Sequence, residues 1–279
     1  MAGDGGTGGG AVAEVAVLGG SGFYRFLDDV VERRVDTPYG TPSAPVAVGT
    51  LGERRVAFLA RHGASHQFPP HRINYRANLW ALHSLGVQRI FGPCASGSLQ
   101  PDVHPGDFVV CDQLVDRTWG RPDTYFDGPA THHVTWADPY CEQLRGVAVA
   151  AVEAEGITVH RTGTVVVIPG PRFATRAESR WYRSAGWEVI NMTQYPEAYL
   201  ARELGLCYAS IALITDYDTG VADDPSIAPA TMADVVAFLE GNVAQVQTVL
   251  KRAIAAVPAE RSCSCGDSTG ADPITPPRT

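Results

Sequence analysis

Residues 206–220 read LCYASIALITDYDTG. The first ten are apolar, small or β-branched and carry no charge, which is the composition of a strand buried on both faces. The run ends on two carboxylates, Asp216 and Asp218, one residue apart. Just upstream, PEAYLARELG at 196–205 opens on a proline suited to a first helical turn and closes on Gly205. A helix that leads straight into a fully buried strand is the repeating unit of an α/β protein. The acids at the strand's end admit three readings: a divalent metal, a turn, or a ligand that offers hydrogen-bond donors. Strand spacing predicts that both point to the same side.

The same unit recurs outward from this point. EVAVL, RRVAFLA, VQRIFG, GDFVVCDQLV and GTVVVI read as further buried strands. INYRANLWALHSLG places Ile73, Ala77, Trp80 and Ala81 at helical spacing and stops at Gly86. Val236, Leu239, Val243, Val246, Leu250 and Ile254 recur every three or four residues, which predicts one long amphipathic helix. No linker interrupts the pattern, so the expected fold is a single α/β domain, 14–257, around a largely parallel or mixed sheet. A Gly-rich leader (1–13) and a Ser-, Gly- and Pro-rich tail (258–279) are expected to be flexible.

Composition removes several classes of function. A net charge of −8 over 279 residues is the wrong sign for a surface that holds nucleic acid or anionic lipid. The leader lacks the basic and apolar regions of a secretory signal, and no stretch approaches the roughly 18–20 apolar residues of a membrane span; a cytoplasmic protein is expected. Six cysteines, Cys94, Cys111, Cys141, Cys207, Cys263 and Cys265, are too scattered for a disulfide framework. Zinc sites commonly use two spaced pairs. Cys263 and Cys265 have no second pair of matching spacing, so no metal is expected.

In open α/β sheets ligands gather beyond the carboxyl ends of strands, and there the polar loops lie. GGSG at 19–22 follows a strand and reads either as a tight turn or as a backbone cradle for an anion, with the Ser21 hydroxyl as a donor. RHGASH brings Arg61 and His62 to a strand end, where a buried cation needs an anionic partner. CASGS at 94–98 reads as a loop of small residues in which Cys94 is more readily packing than nucleophile. Asn191, Met192 and Thr193 lie before a helix whose N-terminus favours anions. Ser21, Arg61 and Thr193 together suit a phosphate-sized anion, without the glycine spacing of a dinucleotide or triphosphate loop.

VLGGSGFY, LARHGASH, NYRANLWAL, GSLQPDVHPGDFVVCDQLVDRT, GPRFATRAES, VINMT and CYASIALITDYD occur in an order that resembles the trimeric nucleoside phosphorylases, most closely their methylthioadenosine phosphorylase branch, from about Val15 to Val257. The resemblance implies a homotrimer with a central mixed sheet flanked by helices, phosphorolysis of an N-glycosidic bond, and neither metal nor organic cofactor, phosphate being a co-substrate. It implies that Ser21, Arg61, His62 and Thr193, with Cys94 and the Ala95 backbone, hold phosphate. Met192 would lie on the ribose, Phe173 on the purine, and Asp216 and Asp218 at the base. His133 would reach the neighbouring subunit's site. Cys94 stands where the family usually has a threonine.

Chemistry divides the family by base. Relatives that take 6-oxopurines carry a glutamate facing N1, where this chain has Ala174, and an asparagine where it has Asp216. Adenine presents N1 as an acceptor and its 6-amino group as a donor, so a pair of acids suits it. The expected reaction converts 5′-methylthioadenosine to adenine and 5-methylthioribose 1-phosphate, with Asp216 protonated to assist at N7; adenosine, inosine or methylthioinosine are the alternatives. Val235 stands where relatives for ordinary nucleosides use a histidine toward the 5′-hydroxyl, and an apolar residue there suits a methylthio group.

Overall fold

The computed structural model describes residues 11–20, 27–129, 131–220 and 227–269. Ser21 lies outside them. The strands are β1 (Val15–Gly19), β2 (Asp28–Arg33), β3 (Val46–Leu51), β4 (Arg54–Ala60), β5 (Arg89–Ser98), β6 (Phe108–Val109), β7 (Gln113–Asp116), β8 (Val159–His160), β9 (Thr164–Val167), β10 (Val189–Asn191) and β11 (Cys207–Asp216). The helices are α1 (Tyr75–Ser84), α2 (Glu142–Glu153), α3 (Arg176–Ser184), α4 (Gln194–Glu203) and α5 (Met232–Ala256). The strands form one mixed sheet in the order β2-β3-β4-β1-β5-β10-β9-β7, with β11 on the other edge of β5 and β6 and β8 beyond it.

The sheet separates two cores. Ala16 and Leu18 of β1 face a layer containing Leu79 and Leu82 of α1 and Leu200 of α4. Val15 and Val17 face the opposite layer, with Leu144 and Val152 of α2 and Val249 and Leu250 of α5. This alternation is the period of two expected of a strand covered on both faces. Val246, Val249, Leu250 and Ile254 of α5 are 0–2 % exposed, each contributing about 1.5–3 kcal/mol of apolar burial. The earlier turns of α5 remain partly open, with Met232 and Val236 exposed.

One feature of the sheet makes the site. β5 pairs along its whole length with β11 on one edge. On its other edge it pairs first with β1, through Phe91, and then with β10, from Gly97. Residues 92–96 have no strand partner on that edge. Their backbone groups need other partners, and side chains supply them: Arg61 Nη1 donates to the Pro93 carbonyl (2.8 Å) and Asn191 Nδ2 to that of Ala95 (3.1 Å).

Several sequence expectations are corrected here. CASGS is strand, the second half of β5, because β11 supplies a full parallel partner that its small residues do not advertise. GDFVVCDQLV is broken between β6 and β7, which pair with different strands. Residues just past 257 pack against the domain: Arg54 donates to the Val257 carbonyl, Arg261 Nη2 to that of Gly205 (2.9 Å), and Cys265 is 3 % exposed within the second core. The polar composition of 258–269 conceals cysteines that pack.

Candidate active site

The split edge of β5 opens into a cavity of about 670 Å³. Pro93–Gly97 form its floor, Gly20, Arg61 and His62 one wall, and Asn191–Thr193 another. Asp216 and Asp218 lie at its end, and the first turns of α5 cover it with Met232, Val235 and Val236. Arg61, His62, Cys94, Ala95, Phe173, Met192, Thr193, Asp216, Asp218 and Val235 all line this one space. His133 does not line it and is exposed.

Arg61 is 2 % exposed at the end of β4, and its anionic partner belongs to the protein. Its Nε and Nη2 meet the two oxygens of Glu197 at 2.7 and 2.9 Å, a bidentate pair. Nη2 also donates to the Leu18 carbonyl, and Tyr208 donates its hydroxyl to Glu197 at 2.8 Å. Burial acts to lower the guanidinium's proton affinity, but Glu197 more than offsets it and the pKa is raised. Of the five N–H groups of an arginine, one on Nη1 is left for the cavity. Glu197 gives no sign in the sequence beyond a place in the first turn of α4. Gly92 serves the same network, since a Cβ there would overlap the Tyr208 hydroxyl.

His62 donates from Nδ1 to the Phe68 carbonyl at 2.8 Å, since a carbonyl can only accept. Its Nε2 is therefore the acceptor of a neutral ring. Burial pushes its pKa down to about 4, and the Arg61 charge and His66 act in the same direction.

Thr193 stands at the start of α4, where an open helix N-terminus is expected to hold an anion. Asn191 occupies that role instead: its Oδ1 accepts from the backbone of Thr193 (2.7 Å) and Gln194 (2.9 Å). Asn191 thus satisfies the two backbone donors that precede the non-helical Tyr195, from which the rest of α4 continues, while its amide bonds β5. Arg121, missed in the sequence, donates to the carbonyls of Met192 (2.8 Å) and Pro169 (2.9 Å) and holds these two loops together. It lies in a Pro- and Asp-rich stretch with no periodicity. Cys94 receives a long contact from Gln194 Nε2 (3.4 Å) and lies 3.6 Å from the Ser96 hydroxyl.

The acids converge differently from the strand reading. β11 ends at Asp216, and Asp218 has φ +51°, so the chain turns rather than extends. The Asp218 amide donates to Asp216 Oδ1 and the Thr215 hydroxyl to Oδ2, both at 2.7 Å. This is an Asx turn. Asp218 Oδ2 is buried with no partner among the described residues. Burial raises the pKa of both acids; hydrogen bonds from Thr215 and the Asp218 amide moderate Asp216, and hydrogen bonds from Ser179 and the Thr219 backbone moderate Asp218, which burial and the Asp216 charge still push up to about 6. Gly97 makes the approach possible, since a Cβ there would stand 3.0 Å from Asp216 Oδ1 and 2.9 Å from Ile190 Cγ2. Gly97→Ala is expected to cost about 1–3 kcal/mol in overpacking and to displace Asp216; a urea titration together with a purine-binding isotherm measures both.

A polar-ended, otherwise apolar cavity at the carboxyl ends of β1, β4, β5 and β11 is a small-molecule site with an acid pair at one end. Residues 14–255 match the family model described as the phosphorylase superfamily. The chain belongs to the phosphorylase superfamily. It is 52 % identical over 268 residues to a purine nucleoside phosphorylase of Streptomyces coelicolor, covering 92 % of this chain and 95 % of that one. It is 54 % identical over 251 residues to an S-methyl-5′-thioadenosine phosphorylase of Mycolicibacterium smegmatis, covering 90 % and 93 %. Among solved structures, methylthioadenosine phosphorylase from Schistosoma mansoni in complex with adenine superimposes with a TM-score of 0.85 at 35 % identity, covering 92 % and 96 %. Membership of this superfamily and the single-domain mixed sheet agree with the resemblance read from the sequence. Among the described residues, no helix is long and apolar enough to cross a membrane.

Proposed function

We propose that this member of the phosphorylase superfamily cleaves 5′-methylthioadenosine with inorganic phosphate, releasing adenine and 5-methylthioribose 1-phosphate. One observation carries the reading: Asp216 and Asp218 meet at the base end of the cavity, while Ala174 is buried nearby and Val235 lies in the α5 wall. Two acids of which one holds a proton suit N7 and the 6-amino group of adenine. The position that would meet N1–H of a 6-oxopurine has no carboxylate.

The C1′–N9 bond breaks with its electron pair passing to the purine, and a phosphate oxygen forms the new bond to C1′ with inversion. The acid pair supplies a proton to N7 as charge builds on the leaving adenine. Sequence chemistry assigns that proton to Asp216; the buried Asp218 Oδ2, without a partner among the described residues, favours Asp218 as its resting place. Phosphate would lie over Arg61 Nη1, the Thr193 hydroxyl, Cys94 and the Ala95 backbone. A neutral His62 cannot donate from Nε2, so it would accept an O–H of the incoming phosphate. Phe173 and Met192 would cover purine and ribose. The working unit would be a cytoplasmic homotrimer, which gives the exposed His133 a place in a neighbour's site.

Adenine release from methylthioadenosine, followed with and without phosphate, tests the reading; release that does not depend on phosphate would reject it. The name of the Streptomyces relative favours a second reading, a purine nucleoside phosphorylase, and inosine and adenosine in the same assay distinguish the two. Val235→His is expected to lower the preference for methylthioadenosine over adenosine by about tenfold or more, by pairing a 5′-hydroxyl otherwise left unsatisfied. The ratio of kcat/KM for the two substrates measures it.

A further inference from the structure

At the far end of β11 from the acid pair, the Sγ atoms of Cys141, Cys207, Cys263 and Cys265 all lie within 4.8 Å of one another. They come from separate parts of the chain: the N-cap of α2, the first residue of β11, and the C-terminal segment with its 3₁₀ turn Ser264–Thr269. Cys141, Cys207 and Cys265 are 0–3 % exposed, and Cys263 is half-buried. No disulfide joins any of them. We propose that these four cysteines form a tetrathiolate site for a single zinc ion that fastens the C-terminal segment to the base of the sheet.

The spacing suits one ion. A zinc–sulfur bond of about 2.3 Å places the sulfurs of a regular tetrahedron about 3.8 Å apart. Cys207 and Cys263 stand at 3.3 Å and every pair is within 4.8 Å, so small side-chain rotations reach that geometry. A multi-iron cluster would hold its cysteines farther apart. Softness selects zinc over magnesium or calcium, which prefer oxygen. Binding releases four protons to solvent, one from each thiol, and leaves a centre with two net negative charges. The surroundings answer both: Arg261 hydrogen-bonds Cys263 and Arg202 lies toward Cys265. The N-terminus of α2 adds its positive end at Cys141. The half-buried Cys263 borders a surface cavity of about 830 Å³, which provides an entry path.

The site is structural. Nine residue steps along the strand lead from Cys207 to Asp216, roughly 30 Å at about 3.3 Å per step, so the ion cannot touch the reacting atoms. The test is elemental analysis of the untagged full-length protein produced with zinc in the medium. About one zinc per chain, retained through gel filtration with EDTA, is expected. Cobalt bound in its place should give intense visible bands and a thiolate-to-cobalt charge-transfer band. The Cys263→Ser, Cys265→Ser double variant should lose the metal and melt several degrees lower, while methylthioadenosine turnover below its melting temperature stays near the parent value. Zinc below about one tenth per chain, zinc retained in full by the double variant, a cobalt spectrum without thiolate charge transfer, or a non-reduced peptide map with a disulfide among these four residues would each overturn the proposal.

Discussion

Asp218→Asn is expected to lower kcat/KM for methylthioadenosine by about 10² to 10⁴, the usual worth of a general acid. The same variant should remove a titration from the pH profile. Burial and the neighbouring Asp216 charge raise Asp218 to about 6 from an ordinary value near 3.8. The folded protein therefore keeps a proton that the unfolded chain releases. Stability from this group is fully present below pH 3.8 and is lost as pH rises through about 6. Activity in the free enzyme follows the protonated fraction, so kcat/KM falls as pH rises through the same value in the parent and loses that limb in the variant. Asp216→Asn distinguishes the two acids: it removes an oxygen that accepts the Thr215 hydroxyl or the Asp218 amide, and should raise KM more than it changes the pH profile. If Asp218→Asn retained the limb and Asp216→Asn abolished it, the proton would belong to Asp216. His62 works in the opposite sense. Lowered to about 4 by burial, it costs stability as pH falls from 6.5 toward 4, and its contribution persists in both variants.

Glu197→Gln should be the most destabilising single change in the site, by about 3–5 kcal/mol, because it leaves the buried Arg61 guanidinium without its carboxylate. Glutamine keeps one acceptor oxygen where Glu197 offers two, so Arg61 and Tyr208 must compete for it. Chemical denaturation measures the loss. The double variant Arg61→Met, Glu197→Met should recover much of it, since apolar side chains of similar volume can replace a buried ion pair at little cost. Phosphate binding should not recover, because the remaining Nη1 donor is gone. Equal destabilisation in the single and double variants would show that packing, rather than charge, holds this corner of the cavity.

The residues differ in how far their roles could be read from the chain. Strands such as β1, β4 and β11 are legible because burial on both faces demands uninterrupted apolar runs. The edge strand β2, exposed throughout as DDVVER, and the polar α3, RAESRWYRS, have no such demand on them and escape notice. Phe173, Met192, Asp216 and Val235 were found because each lies in a motif. Glu197 and Arg121 were not, nor were the partners of Asn191, because each satisfies backbone or charge contributed by segments distant in the chain. The Asp216–Asp218 pair was found for a partly mistaken reason, since the chain turns at a left-handed Asp218, whose amide bonds Asp216, and does not extend as strand alternation requires.

By itself, then, the sequence determined the α/β alternation, the order of the loops at the strand ends and the chemistry available to the purine, because composition and local periodicity encode burial and functional groups directly. Tertiary structure alone decided that Arg61 is ion-paired to Glu197, that residues 92–96 of β5 lie open between β1 and β10, and that Cys141 and Cys207 meet Cys263 and Cys265. Each depends on contacts between residues far apart in the chain, whose distances are set by packing and leave no trace in local spacing.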